Sequence, residues 1–487
     1  MTQKNLKQKA VSGMLWTAIQ KYSGTVIQFI TSILLARLLT PYDYGCIGML
    51  LIFMMLAESF IDGGFGAALI QKKRPTQEDY STIFFWNMGL ATLLYSLLYL
   101  FAPTIARFYN VPLLSPILRV QGVILFLYAF NIVQRNQLVK KLQFKILSIV
   151  SFVTSIISMI ITIITAYHGY GAWSLVVLHT MQVAIPALFF WFYVKWRPLW
   201  TFSWTSFREL FGFGFYMFLA NLLNVLCTRI QGLLIGKFFN PSTLGYYSKA
   251  DRTESFASTT ISSVINQVAY PLFAEVQNDK CKLGNMIKKL TMTLSFLTFP
   301  FLFILLLCAK PIFILLYSNR WLDSVPYFQV LCIAGLAWCL QSVPFLSIAA
   351  IGKSKTTFYW TVVKRIIGLS FIVMGLVIYG MNGLLVGVII NQWFSFFVNI
   401  GLVSKHIGYK WWKQLVDILP VTLVSVFAAI VSYWVGTLWQ LPLYADGLVK
   451  LLVYIIIYVG WCLLFKPVVY KDFKTVIVTI YYKLRKK

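Results

Sequence analysis

Long apolar runs alternate with short polar connections along almost the whole chain. Each run has the length that crosses a bilayer core, about 20 residues. The pattern predicts about fourteen membrane-spanning helices, at 11–35, 44–70, 80–103, 113–134, 146–167, 172–194, 210–236, 250–276, 290–317, 325–351, 356–379, 384–404, 416–437 and 447–465. No connection is long enough for a second folded domain. Beyond the last run, Phe473, Val476, Ile477, Ile480, Tyr481 and Leu484 recur at helical spacing among Lys471, Lys474, Lys483, Arg485, Lys486 and Lys487. That tail reads either as an amphipathic helix on the inner membrane surface or as a basic disordered end.

The bases test the span assignment. With the N-terminus in the cytoplasm, the cytoplasmic segments hold 29 of the 42 Lys+Arg, the outer loops 5 and the spans 8. The alternation has no exception, which is the positive-inside pattern, and both termini are expected in the cytoplasm. Charged residues make up 11% of the 487 and hydrophobic ones 59%, against roughly 25% charged in a soluble domain. A cytosolic enzyme and a disordered chain are excluded. The net charge of +28 lies in the loops between spans, so it implies no nucleic-acid partner. The first apolar run is too long for a signal peptide and lacks a small-residue cleavage site, so it reads as a retained span. The seven cysteines show no CxxC or other ligand spacing, and neither a disulfide framework nor a metal or other cofactor is expected.

An internal repeat organises the spans. Leu34 to Pro41 and Gly45 match Leu234 to Pro241 and Gly245 at an offset of 200, with a base at Arg37 and Lys237. Tyr167 and Gly171 bound one tight outer turn, and Tyr379 and Gly383 bound another at an offset of 212. We read an N-terminal six-helix lobe (1–194), a C-terminal lobe (195–404), two appended spans (405–466) and the basic tail (467–487). Six is even, so the lobes are parallel repeats, a transporter architecture in which one lobe can rock against the other.

Polar side chains inside spans are costly and normally face the bundle interior. On span 1, Thr17, Lys21, Gly24, Gln28 and Thr31 recur every three or four residues; on span 7, Asn221, Asn224, Thr228 and Gln231 do the same. Thr17, Gln28, Asn221, Asn224 and Thr228 are candidate lining residues of a shared aqueous cavity. Glu58 and Asp62 are i,i+4 neighbours on span 2. They are candidates for proton or cation coupling, or alternatively structural partners of Lys21. Lys21, Arg229, Lys364 and Arg365 lie deep in their spans. Arg252 lies nearer an outer end, where pairing with Asp251 or Glu254 is an alternative. Together these five bases suit a site for an anionic group.

The chain also resembles a known family. Leu35-Ala36-Arg37-Leu38-Leu39-Thr40-Pro41-Tyr42-Asp43-Tyr44-Gly45, Phe60-Ile61-Asp62-Gly63-Gly64-Phe65-Gly66-Ala67-Ala68-Leu69-Ile70-Gln71 and Gln143-Phe144-Lys145 resemble the signatures of Wzx-type bacterial polysaccharide flippases. These include the O-antigen, colanic acid and teichuronic acid exporters of the multidrug/oligosaccharidyl-lipid/polysaccharide superfamily. The resemblance implies an all-α, V-shaped polytopic bundle in the bacterial plasma (inner) membrane. It implies movement of an undecaprenyl-diphosphate-linked oligosaccharide from the inner to the outer leaflet by alternating access, in some members ion-coupled. The implied partners are that lipid-linked oligosaccharide, membrane lipids and the polysaccharide polymerase machinery, with the transporter itself a monomer. A multidrug or cation antiporter of the same superfamily would share fold and topology. A membrane polysaccharide polymerase or glycosyltransferase is the rival from another class. Such enzymes usually carry a large outer loop or an acidic catalytic pair in an early outer loop, and the first outer loop, Arg37 to Asp43, offers one acid.

Overall fold

The computed structural model describes Trp16 and residues 23–439, 441–467 and 469–470. Thr17, Lys21 and the basic tail beyond 470 lie outside the described residues. Every described secondary-structure element is a helix. Eleven are long and apolar enough to cross a membrane. One of these, 354–407, is two helices joined where Tyr379 and Gly380 leave helical geometry. The first helix, described over Ser23–Leu38, and the more polar Pro41-like repeat helix Pro241–Glu275 bring the spans to the expected fourteen. The protein is a multi-pass membrane protein.

The chain forms two compact units, Met1–Ser248 and Lys249–Lys487. The division falls later than the lobe boundary expected at 194. The helix that follows that boundary packs on helices of the first unit.

The first unit holds α1 (Ser23–Leu38), α2 (Pro41–Asp62), α3 (Phe65–Gln71), α4 (Gln77–Tyr109), α5 (Leu114–Gln121), α6 (Ile124–Lys140), α7 (Phe144–Tyr167), α8 (Ala172–Tyr193), α9 (Trp204–Phe238) and the start of α10 (Pro241–Glu275). The repeated Pro motif is a helix start. Thr40 caps α2 in a reciprocal box with Asp43, and Pro41 occupies the first turn, where a missing N–H costs nothing. Asn240 Oδ1 accepts from Thr243 N at 2.7 Å ahead of α10. The two starts cross: a Cβ on Gly45 would overlap the Pro241 carbonyl, and one on Gly245 the Pro41 carbonyl. Only glycine permits that backbone contact.

At its C-terminal end α2 breaks at Gly63 and Gly64, with φ of 51° and 72°, left-handed values that favour glycine. Gly64 also backs onto the Gly214 backbone of α9. The short α3 that follows is capped by Lys140, whose Nζ donates to the Leu69 and Ile70 carbonyls at 2.9 and 3.3 Å. A Thr76–Asp79 box starts α4. Here Lys72 Nζ reaches Asp79 at 3.0 Å and Glu209 at 2.8 Å, tying α4 to α9. Phe65, Leu69, Phe84, Val133 and Phe207 form the packed interior of this end.

The second unit holds the rest of α10 with α11 (Lys280–Leu307), α12 (Ala309–Tyr317), α13 (Ser324–Ala350), α14 (Ser354–Ile407), α15 (Trp411–Leu438) and α16 (Leu443–Phe465). α13, α15 and α16 all pack on α11. The two appended spans, α15 and α16, are seated by Ala428, Tyr454 and Cys462, with Tyr458 Oη donating to the Phe296 carbonyl at 2.9 Å. The two halves of α14 fold back on each other at Gly375 and Gly383, where a Cβ on either would overlap the other's carbonyl.

Candidate functional site

In the first unit, the C-terminal part of α2 and α6 bring polar groups together. Glu58 and Asp62 are half-buried on one face of α2. The Asp62 carboxylate accepts from the Gly64 N–H at the helix break, and Arg135 of α6 lies within its electrostatic reach. Gly66 makes room beneath: a Cβ there would sit 3.0 Å from Asp62 Oδ1 and 3.0 Å from Asn136 Nδ2. Tyr128, also on α6, is within reach of Glu58, Asp62 and Arg135. Among the described residues, Asn131 Oδ1 and Asn136 Nδ2 are buried with no hydrogen-bond partner. The cluster therefore holds two carboxylates, a guanidinium, a phenol and two under-bonded amides. Such a set can take up and release a proton or hold a small cation.

The α9 stripe has a different character. Asn221, Asn224 and Thr228 are exposed, and Arg229 is half-buried with Nε unpartnered among the described residues. Thr228 Oγ1 donates to the Asn224 carbonyl at 2.8 Å, and Asn221 Nδ2 to Ser59 Oγ on α2 at 3.4 Å. Gln28 on α1 is exposed as well. Amide side chains open on the surface of a spanning helix are tolerated where they meet water rather than lipid. In the same unit, Lys72 follows the end of α3 and ties the starts of α4 and α9 together. Burial opposes its charged form, but its hydrogen bonds to Glu209 and Asp79 outweigh that and raise its pKa above the usual lysine value.

The other three candidate bases lie in the second unit. Arg252 on α10 and Arg365 on α14 are exposed. Lys364 is 8% exposed. Its Nζ donates to Asn399 Oδ1 at 2.7 Å, and Asn399 Nδ2 in turn to the Gln341 carbonyl at 3.2 Å. Neighbouring Lys364 and Arg365 therefore differ: one is engaged in an amide network, the other is open. Among the described residues no group of three His, Cys, Asp or Glu could hold a metal ion.

The α6 partners of the carboxylates are absent from the sequence-derived candidates. The fourth expected span ends at 134, which leaves Arg135 in the connection that follows it. The signal that marks it is the density of polar residues from Asn131 to Gln137 inside what proves to be a helix through Lys140.

Comparison with known proteins places this geometry. Residues 34–326 match the family described as "Polysaccharide biosynthesis protein". The teichuronic acid biosynthesis protein TuaB of Bacillus subtilis (strain 168) is 27% identical over 358 residues, 73% of this chain and 74% of that protein. The lipopolysaccharide biosynthesis protein WzxC of Escherichia coli (strain K12) is 23% identical over 438 residues, 89% of this chain and 88% of that one. Among solved structures, the lipid II flippase MurJ in an inward closed conformation superposes with a TM-score of 0.73 at 17% identity, covering 94% of this chain and 99% of MurJ. An inward-facing multidrug resistance MATE family transporter of the MOP superfamily gives 0.63 at 14% identity, covering 81% and 98%. At those identities the structural likeness speaks for the fold, which is that of the MurJ and MATE transporters. The family match takes in more than half of the chain, and the chain is a member of the polysaccharide biosynthesis protein family.

Proposed function

We propose that this chain is a flippase, not an enzyme. It moves an undecaprenyl-diphosphate-linked oligosaccharide from the cytoplasmic to the outer leaflet of a bacterial plasma membrane by alternating access. The observation that carries the reading is the open polar face of α9, Asn221, Asn224 and Thr228 beside Arg229. It gives a water-filled path a lining inside an otherwise apolar helix. Relatives named for teichuronic acid and lipopolysaccharide biosynthesis support the substrate class, and the fold shared with a lipid II flippase supports the mode of transport.

The lipid's diphosphate carries at least two negative charges. In the first unit the bases proposed for it are Lys21 and Arg229; in the second they are the exposed Arg252 and Arg365, with Lys364 serving only once it leaves Asn399, Arg as a fork and Lys as a point charge. Thr17, Gln28, Asn221, Asn224 and Thr228 hydrogen-bond water and sugar hydroxyls along the path. The polyprenyl tail stays in the bilayer, so only the head group pays for transfer. Glu58 and Asp62, in reach of Arg135, exchange the coupling ion.

The test is translocation of a labelled undecaprenyl-diphosphate oligosaccharide in sealed vesicles of purified protein, run beside a cationic dye. Protected lipid should appear with the wild type and be lost in Arg229→Ala and Lys21→Ala at unchanged yield of folded protein. Dye transport without lipid movement would instead make the chain a multidrug exporter. Full flipping by both alanine variants would remove the cationic site.

A further inference from the structure

A second buried carboxyl group lies away from α2 and α6, on α10 in the second unit. Glu254 is 8% exposed, and its Oε1 is fully buried with no hydrogen-bond partner among the described residues. The oxygen occupies space that only a glycine leaves: a Cβ on Gly335 of α13 would overlap it, and that same Cβ would touch Leu302 of α11 at 3.6 Å. The surrounding groups are small. Ser258 and Ser262 continue the Glu254 face of α10 at i+4 and i+8, 2% and 0% exposed. Cys332 and Cys339 flank Gly335 on α13, 1% and 0% exposed. Cys339 Sγ lies 3.9 Å from the Ser258 carbonyl.

An isolated carboxylate in such a place is expensive unless something neutralises it. The titratable and charged groups around it are few. On α10 itself they are Lys249, Asp251 and Arg252. Lys249 sits over the Tyr317 and Trp321 rings at 4.7 and 5.0 Å, and Arg252 is exposed. From α13 come the two thiols, from α12 the Tyr317 hydroxyl, which pairs with Thr253 at 2.9 Å, and from α11 only Leu302. Among the described residues Glu254 forms no ion pair with a base. Beside the Glu254 carboxyl this helix face offers the Ser258 and Ser262 hydroxyls, and the rest of the lining is two thiols, hydrocarbon and a glycine; a sodium ion needs more oxygen ligands than these, as hard cations do. A proton needs one acceptor.

We propose that Glu254 is a proton-binding site of the second unit, separate from Glu58 and Asp62, so that each unit carries an exchangeable carboxyl group. The proposal does not depend on which lipid or drug is carried.

Infrared difference spectroscopy of the whole protein in lipid nanodiscs, stepped in pH without substrate, reads it directly. The wild type should show a protonated-carboxyl carbonyl band that is lost in Glu254→Gln, remains in Glu58→Gln/Asp62→Asn, and does not respond to sodium. Gly335→Ala is the second variant. Its methyl group presses on the same oxygen and should shift that band even if Glu254→Gln folds poorly. A band unchanged in both Glu254→Gln and Gly335→Ala would overturn the proposal. So would a band replaced by a carboxylate signal when sodium is added.

Discussion

Glu58 and Asp62 are legible in the sequence as acids in an apolar run, and the structure adds what faces them. With Arg135 in reach, neutralising both acids frees a guanidinium rather than merely deleting a proton carrier. Glu58→Gln/Asp62→Asn is therefore expected to flip lipid more slowly and to lose its response to a proton gradient in sealed vesicles. A response equal to the wild type would move coupling elsewhere. Lys72 makes a second expectation at this scale. Its raised pKa means that its stabilisation is complete below the unfolded lysine value, about 10.4, and fades as pH rises through the folded value. Lys72→Met should lower the melting temperature near neutral pH, and the two proteins should converge in strong alkali. A gap that persists there would assign the role of Lys72 to packing alone. Glu254 shows what stays hidden at this scale. Its neighbours Lys249, Asp251 and Arg252 suggest a solvated charge mixture. Only the helix face, with Gly335 opposite, sets it apart.

Helix by helix, the hydropathy pattern locates the apolar spanning helices among the described residues, because a bilayer demands apolar length whatever the packing. The ends are where it falls short. Expected to begin at 250, α10 begins at Pro241; its cap and first turns are polar and add nothing to an apolar run. The span expected at 290–317 breaks at Cys308 into α11 and α12. Two glycines in the first unit separate backbone demand from mere smallness. Gly64 has a left-handed φ and abuts the Gly214 carbonyl, whereas Gly89 in α4 has open space around it. Gly64→Ala should cost about 1–3 kcal/mol through strain and overlap. Gly89→Ala should be neutral or stabilise by up to about 1 kcal/mol. Thermal denaturation in one detergent compares them. Equal effects would mean that the α2–α3 break tolerates a side chain.

For the molecule as a whole, the base count assigns the connection before α11 to the cytoplasm. Cys281 in the first turn of α11 is exposed, while Cys46, Cys308, Cys332, Cys339 and Cys462 are buried. A membrane-impermeant thiol reagent should therefore label Cys281 in inside-out vesicles and spare it in right-side-out ones. The reverse would invert the topology and the direction of transport with it. The crossing of the α2 and α10 starts carries a consequence of another kind. Position 41 meets 245 and position 45 meets 241, the reciprocity that two identical subunits make around a two-fold axis. A half-length ancestor pairing with itself would have needed one glycine to satisfy both contacts. After duplication and fusion, the same requirement is written twice, and either copy can fail alone. Variation at residues 45 and 245 is therefore expected to be restricted at both, although neither contributes a side chain to anything transported.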